Sequence, residues 1–335
     1  MEAFVVDEYR RAVEAASGGK NTVIRDKNGN PSVMVVIPKF RLENIDPSLG
    51  TGVHPAFLVH GKEVPEIYYP KFQNIVVDGC GVSQPGVDPA VNVNFDQARA
   101  YAMAKGPGWH LSSNAEWAAL ALWSCKNGTV PRGNNNHGCD IDAPYEHGRE
   151  TSNSENLTAR VATGSGPASW YHDGTPFGVS DMNGNVWEWQ DGFRTVGGRI
   201  WVVGEDGVPM NNFDTQNTKG NNAGWIDTGL CYNGNKITGD AKATADCGTA
   251  FENIAGASGV TVPAYFKALA LAPVATGPKG DCFWTGTDFT QEYLPFRGGC
   301  WGSQAYAGVF SLSASRVHSG AGGWDVGFRA AYVPR

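Results

Sequence analysis

The side chains best able to react with or recognise another molecule crowd into the last forty residues, between Phe296-Arg-Gly-Gly-Cys-Trp301 and Val326-Gly-Phe-Arg-Ala-Ala331. The thiol there is Cys300. A metal-assisted thiol oxidation needs paired thiolates within ligating distance, and this stretch supplies one. The seven histidines form no H-x3-H or H-x-E cluster. The seven cysteines (80, 125, 139, 231, 247, 282, 300) form no CxxC pair and no Cys/His set with zinc spacing. They read as reduced thiols, with one or two disulfides left open, for example within 231–282. The chemistry on offer is recognition. Gly302 to Asp325 holds five glycines, five serines, one Tyr, one His and one Asp around the apolar positions Val309, Phe310, Leu312, Val317 and Trp324. A segment built only to pack would not be so permissive. Tyr306, His318, Trp324 and Asp325 are the expected contacts, because aromatic rings give a large contact area for few frozen rotors while Ser and Gly give adaptable hydrogen bonding. Core packing is an equal alternative for Trp324.

A frame must hold such a segment. Arg297 and Arg329 sit among apolar neighbours, so each requires a carboxylate or carbonyl partner. In Asp181-Met-Asn-Gly-Asn-Val-Trp-Glu-Trp189 the Asn-Gly pair supplies a tight turn. Trp187 and Trp189 then enter a strand and fill a core. Glu188 between them either faces solvent or neutralises a buried arginine. Arg297, Gly298, Gly299, Trp301, Phe310, Gly327, Phe328, Arg329, Trp187 and Trp189 all read as scaffold.

Further upstream, residues 4–16 carry Phe4, Val5, Tyr9, Ala12, Val13 and Ala16 at helical spacing, closed by Gly18-Gly19. Thr22-Val-Ile and Val33-Met-Val-Val-Ile37 flank Asp26-Lys-Asn-Gly-Asn-Pro31 as a hairpin. One helix begins at Asn94 with Gln97 in the reciprocal position and stops at Gly106. A second begins at Ser113 with Glu116 completing a capping box, and presents Trp117, Leu120, Ala121 and Ser124 on one face. From Gly128 to about 295, short β-prone runs alternate with polar loops such as 134–138 and 211–224. There is no internal repeat and no clear linker.

Hydrophobic residues at 41% can build a sizeable core, while charged residues at 18% fall below the usual quarter. A net charge of −7 without a block of Lys or Arg argues against a nucleic-acid partner. Met1-Glu-Ala-Phe lacks the basic and apolar regions of a signal peptide. No apolar run reaches the ~18 to 20 residues needed to cross a bilayer, so membrane insertion is not expected.

Four blocks stand in order: Val91-Asn-Val-Asn-Phe-Asp-Gln-Ala98, Gly108-Trp-His-Leu-Ser-Ser-Asn-Ala-Glu-Trp117, Phe177-Gly-Val-Ser-Asp-Met-Asn-Gly-Asn-Val-Trp-Glu-Trp189, and Phe296-Arg-Gly-Gly-Cys-Trp301 with Gly327-Phe-Arg329. Together they resemble the formylglycine-generating-enzyme (sulfatase-modifying factor) branch of the C-type lectin fold. The resemblance implies an α+β, loop-rich fold with two main helices and short strands. It would comprise an N-terminal helix-and-hairpin segment, 1–32, and a lectin-like domain, 33–335. Enzymes of that family place two reactive cysteines at positions that fall here on Ser303 and Gly308, and Cys300 stands where they have a serine. A sulfoxide-synthase offshoot of the fold uses a separate His-rich iron domain, which this chain lacks. The expectation is a fold relative without the chemistry.

The C-terminus, Arg297-Gly-Gly-Cys-Trp with Ala307-Gly-Val-Phe310 and Gly327-Phe-Arg-Ala-Ala331, also resembles the variable region of proteins diversified by diversity-generating retroelements. There, template adenines are mutated during reverse transcription, and Asn codons become Ser, Gly, Asp, His, Tyr or Ala. Gly302, Ser303, Tyr306, Ser313, Ser315, His318, Gly320, Gly323 and Asp325 belong to that set. Gln304 and Trp324 do not, which makes them fixed, and Trp324 joins the ligand-binding group as a fixed aromatic. The resemblance implies a non-catalytic protein with a variable region at about 297–331, of the phage receptor-binding or bacterial adhesin type. Its partner would be a protein or glycan on a cell surface, and its location a virion or bacterial surface. The N-terminal segment could attach it to a virion or to further copies. No cofactor is required. A structural Ca2+ is compatible with the Asn/Asp-rich loops. The alternatives are a formylglycine-generating-enzyme-like oxidase, and a carbohydrate-binding lectin stacking sugars on Trp109, Trp301 and Trp324.

Overall fold

The computed structural model describes residues 7–240, 248–286, 288–320 and 322–334. Helix α1 (Glu8–Ser17) starts where the Asp7 carboxylate accepts the Arg10 N–H, and ends at Gly18 in the left-handed conformation. Phe4 and Val5, expected in this helix, lie outside the described residues. Strands β1 (Asn21–Arg25) and β2 (Pro31–Pro38) form the expected hairpin, with Thr22 opposite Met34. Strand β3 (Glu66–Pro70) pairs antiparallel with β2. The boundary drawn between residues 32 and 33 therefore falls inside β2, and the hairpin is continuous with the sheet. Helix α2 (Phe95–Met103) carries the Asn94/Gln97 capping box. After β4 (Trp109–Leu111), helix α3 (Asn114–Asn127) carries the Ser113/Glu116 box and closes at left-handed Gly128. The single apolar face expected for α3 understates its burial. Every residue from Asn114 to Leu122 is buried, because this helix runs through the core.

The second half builds a large curled sheet. Its main members are β5 (Trp187–Trp189), β6 (Phe193–Val196), β7 (Arg199–Glu205), β8 (Trp225–Asn233), β9 (Cys282–Thr285), β10 (Glu292–Gly298), β11 (Gly308–Arg316) and β12 (Val326–Phe328). The path runs β9-β11-β10-β6-β7-β8, and β5 branches off to lie between β10 and β12. A last strand, β13 (Ala330–Tyr332), leaves this sheet and inserts into the N-terminal one, which is ordered β1-β2-β3-β13-β4. The C-terminus thus stitches the two sheets together.

Strand β5 is the hinge of this arrangement. Glu188 pairs through its backbone with Arg297 of β10 on one side and Gly327 of β12 on the other. Its side chain takes the bidentate fork of Arg329: Nε donates to Oε2 at 2.6 Å and Nη2 to Oε1 at 2.9 Å. Arg329 places its remaining N–H groups on the carbonyls of Pro70, Lys71 and Ser180 at 2.6 to 3.1 Å. Both side chains are fully buried. Glu188 is therefore an ion-pair partner and not a solvent-facing residue. Burial alone would weaken the Arg329 charge, but the Glu188 carboxylate outweighs it and raises the guanidinium pKa.

Removing one partner of such a pair leaves the other charged and buried. Glu188→Gln and Arg329→Met should each lose about 3 to 5 kcal/mol of stability, read as a lower urea midpoint. Breaking the exposed Arg199–Asp227 pair, 2.9 Å apart, should lose less than about 1 kcal/mol.

Candidate ligand-binding site

Residues 299–325 form an excursion whose two ends flank β5, roughly 10 Å apart at two strand spacings. The exit is made by Gly298 and Gly299, both at positive φ. A Cβ on Gly299 would lie 2.5 Å from that of Ala307, so only glycine lets the chain turn this tightly. Among the described residues, Arg297 beneath it pairs with no carboxylate, and its donors go to an amide and to backbone carbonyls. Its Nε donates to Asn114 Oδ1 at 2.9 Å and its Nη2 to the Ala270 carbonyl at 2.7 Å. Full burial pushes its pKa down to about 9. Trp301, Phe310, Phe328, Trp187 and Trp189 are all buried.

The excursion is anchored once more in its middle. In β11, Phe310, Leu312 and Ala314 point into the core. Alternation places Ser311, Ser313 and Ser315 on the opposite face. The Ser313 and Ser315 hydroxyls lie 2.9 Å apart. Two outward stretches remain. The first, around the single turn Gln304–Tyr306, exposes Gly302 and Tyr306, with Ser303 half-buried. A Cβ on Gly302 would meet nothing within 4 Å, so the position has open space for a side chain to enter. The second stretch ends at Trp324 and Asp325. Trp324 is 58% exposed and yet packs on Trp301, ring centroids 5.1 Å apart. The core-packing and contact readings of Trp324 are thus both partly realised.

Ser313, Ser315 and Asp325 converge on an open cleft of about 440 Å³. Its remaining lining is Trp187, Trp284, Thr285, Gly286, Tyr293, Phe296, Arg316 and Val326. The rings form a connected series: Tyr306 meets Trp284 at 6.4 Å, Trp284 meets Trp187 at 6.0 Å, and Trp187 meets Phe296 at 4.9 Å, all near-perpendicular. Trp284, Thr285 and Tyr293 went unnoticed in the sequence. The available signal was the run Cys282-Phe-Trp-Thr285, an aromatic strand directly before the Arg-Gly-Gly block.

Four positions depart from outward display, the first being Ser313, which is 4% exposed although it borders the cleft. His318 is buried: its Nδ1 lies 2.9 Å from Asp96 Oδ1 and its Nε2 3.2 Å from Glu292 Oε1. Glu292 also accepts from Arg194 Nη1 at 2.6 Å. Burial alone would lower the His318 pKa, but its hydrogen bonds to Glu292 and Asp96 prevail and raise it. His318 therefore clamps the segment to α2 and β10. Gly323 is confined, since a Cβ there would lie 2.5 Å from Asp325 Oδ1 and 2.8 Å from Val326 Cγ2. Gly320 is half-buried against Val317.

Burial pushes the Cys300 thiol up to about 11, so it is protonated at neutral pH. Ser303 Oγ accepts the Cys300 N–H at 2.9 Å. A Cβ on Gly308 would lie 2.2 to 2.3 Å from the Asp281 carboxylate, which accepts the Phe310 N–H at 2.7 Å. Cys231 is a thiol donating to the Asp240 carbonyl, and Cys247 lies outside the described residues. Among the described residues, no group of three or more His, Cys, Asp or Glu could hold a metal ion.

The match to the sulfatase-modifying factor enzyme 1-like domain spans residues 16–333, and the chain belongs to that family. Its fold is the formylglycine-generating-enzyme form of the C-type lectin fold, as the motif order implied. No curated protein shows a significant match. Among solved structures, the chain is similar to PvdO from Pseudomonas aeruginosa at 16% identity, covering 93% of this chain and 98% of that one, with a TM-score of 0.42. It is also similar to Treponema denticola variable protein 1 at 15% identity, covering 94% and 99%, with a TM-score of 0.40. The Major Tropism Determinant U1 variant matches at 12% identity over 90% of this chain and 63% of that one, with a TM-score of 0.35.

Gly308→Ala should destabilise by about 1 to 3 kcal/mol through overpacking against Asp281, whereas Gly302→Ala should be silent within about 0.5 kcal/mol. His318 stabilises the folded state only while protonated, so its contribution is fully present below its ordinary pKa of 6.5 and is lost as pH rises through the higher folded value. His318→Gln should therefore cost more stability at about pH 5.5 than at about pH 9. Equal losses in urea titrations at both would contradict the clamp.

Proposed function

We propose that this chain is a non-catalytic ligand-binding protein presenting a diversified C-terminal surface, centred on the aromatic cleft, to a receptor on a cell surface. The observation that carries the reading is the separation of roles within residues 297–331. The frame residues Arg297, Trp301, Phe310, Phe328 and Arg329 are buried. Gly302, Ser303, Tyr306, Trp324 and Asp325 reach solvent, and Ser313, Ser315 and Asp325 line one cleft. A rigid β frame tolerates arbitrary loop chemistry when the changing side chains contribute nothing to the core.

The oxidase alternative has less support. It would need a thiol pair where Ser303 and Gly308 stand, and Cys300 alone is held protonated. No helix among the described residues is long and apolar enough to cross a membrane.

The test is sequencing of the locus across one population. The reading expects a nearby near-copy of the 3′ end of the gene, a reverse transcriptase gene, and mismatches confined to template adenines. These should fall at codons 302, 303, 306, 313, 315 and 325 and spare 297, 301, 328 and 329. Mismatches at all four bases, or an invariant C-terminus, would overturn it.

A further inference from the structure

The cleft is built from two sources that differ in origin. Trp187 belongs to β5, Trp284 to β9, and Tyr293 and Phe296 to β10, all outside the excursion. The floor is therefore the same whatever occupies positions 313, 315 and 325. Trp284 and Trp187 meet at 71°, which makes an aromatic corner. Tyr293 closes a further side by lying across Gly286, where a Cβ would come 2.2 Å from its ring. A constant floor under a changing rim suits a chemical unit shared by many ligands.

The rim narrows the chemistry of that unit. Asp325 and Arg316 carry opposite charges into the same cleft, and Ser313, Ser315 and Thr285 bring hydroxyls that both donate and accept. With one charge of each sign, the rim gives no net preference for a cation or for an anion. A neutral polyhydroxylated ring uses both, with one hydroxyl donating to the carboxylate and its neighbour accepting from the guanidinium. At about 440 Å³ the cleft lies in the small-molecule range.

We propose that the cleft binds a hexopyranose of a neutral glycan, its apolar C–H face against the Trp284–Trp187 corner and adjacent hydroxyls between Asp325 and Arg316. Positions 313, 315 and 325 then select which hexose and linkage is taken. The assignment rests on the ligand-binding reading of the cleft and names its ligand class.

The experiment uses the full chain and the methyl glycosides of glucose, galactose and mannose in both anomeric forms, with methyl glucuronide and methyl glucosaminide as charged counterparts. Binding is read by tryptophan fluorescence and by saturation-transfer NMR. At least one neutral glycoside should bind, and the charged counterparts of the same ring should bind more weakly. Trp284→Ala should weaken binding at least about tenfold. Asp325→Asn and Arg316→Gln, at rim positions outside the core, should do the same with an unchanged urea midpoint. Absence of binding by all neutral glycosides, or binding untouched by the rim variants, overturns the sugar assignment. If aromatic peptides instead bind in a Trp284- and Arg316-dependent manner, the sugar falls while the binding reading stands. Glycoside binding in a population whose C-terminus never varies supports the sugar and overturns diversification.

Discussion

The buried ion pair between Glu188 and Arg329 governs the architecture. Taking both charges out of water is costly, and the pair is tolerable because every donor of the guanidinium finds an oxygen. Those oxygens belong to β5 and to the backbone near residues 70 and 180. One side chain thereby fixes the C-terminal tail against three separate parts of the chain. Because Glu188 also sits between Arg297 and Gly327 in the sheet, the same point sets the distance between the two ends of the excursion. The entropic cost of closing such a loop depends on its length and hardly on its composition. The frame can therefore be indifferent to much of what it holds.

That indifference is not uniform. Strand β11 gives one face to the core and the other to the cleft, so a serine there can change identity only as far as the cleft has room. Gly302 has open space around it, while Gly323 is hemmed in by Asp325 and Val326. His318 is bound to two carboxylates and behaves as part of the frame. Diversity at such a position would alter how firmly the loop is held as well as what it contacts.

Much of the frame was legible because its signals are local and physical. Capping boxes at Asn94 and Ser113, the Gly18 and Gly128 stops, and the Asn-Gly hairpin each specify a backbone conformation within a few residues. The demand that Arg297 and Arg329 find partners was also readable, since a lone buried guanidinium is untenable. Which partner each would take was not, because Glu188 lies 141 residues from Arg329 in sequence. The cleft was half legible for the same reason. Ser313, Ser315 and Asp325 were flagged by residue type, whereas Trp284 and Tyr293 become part of the site only through the parallel pairing of β9 with β11 and the antiparallel return of β10. His318 was flagged by residue type alone, and nothing near it in sequence announces Asp96 or Glu292.

The most direct test of the central claim is a pair of libraries sorted by protease resistance. One randomises 302, 303, 306, 315, 324 and 325; the other randomises 188, 297, 301, 328 and 329. A fixed frame carrying a free surface predicts that most members of the first library fold and that few of the second do. Equal loss of folding in the two libraries would show that the outward positions are structural, and would contradict the account.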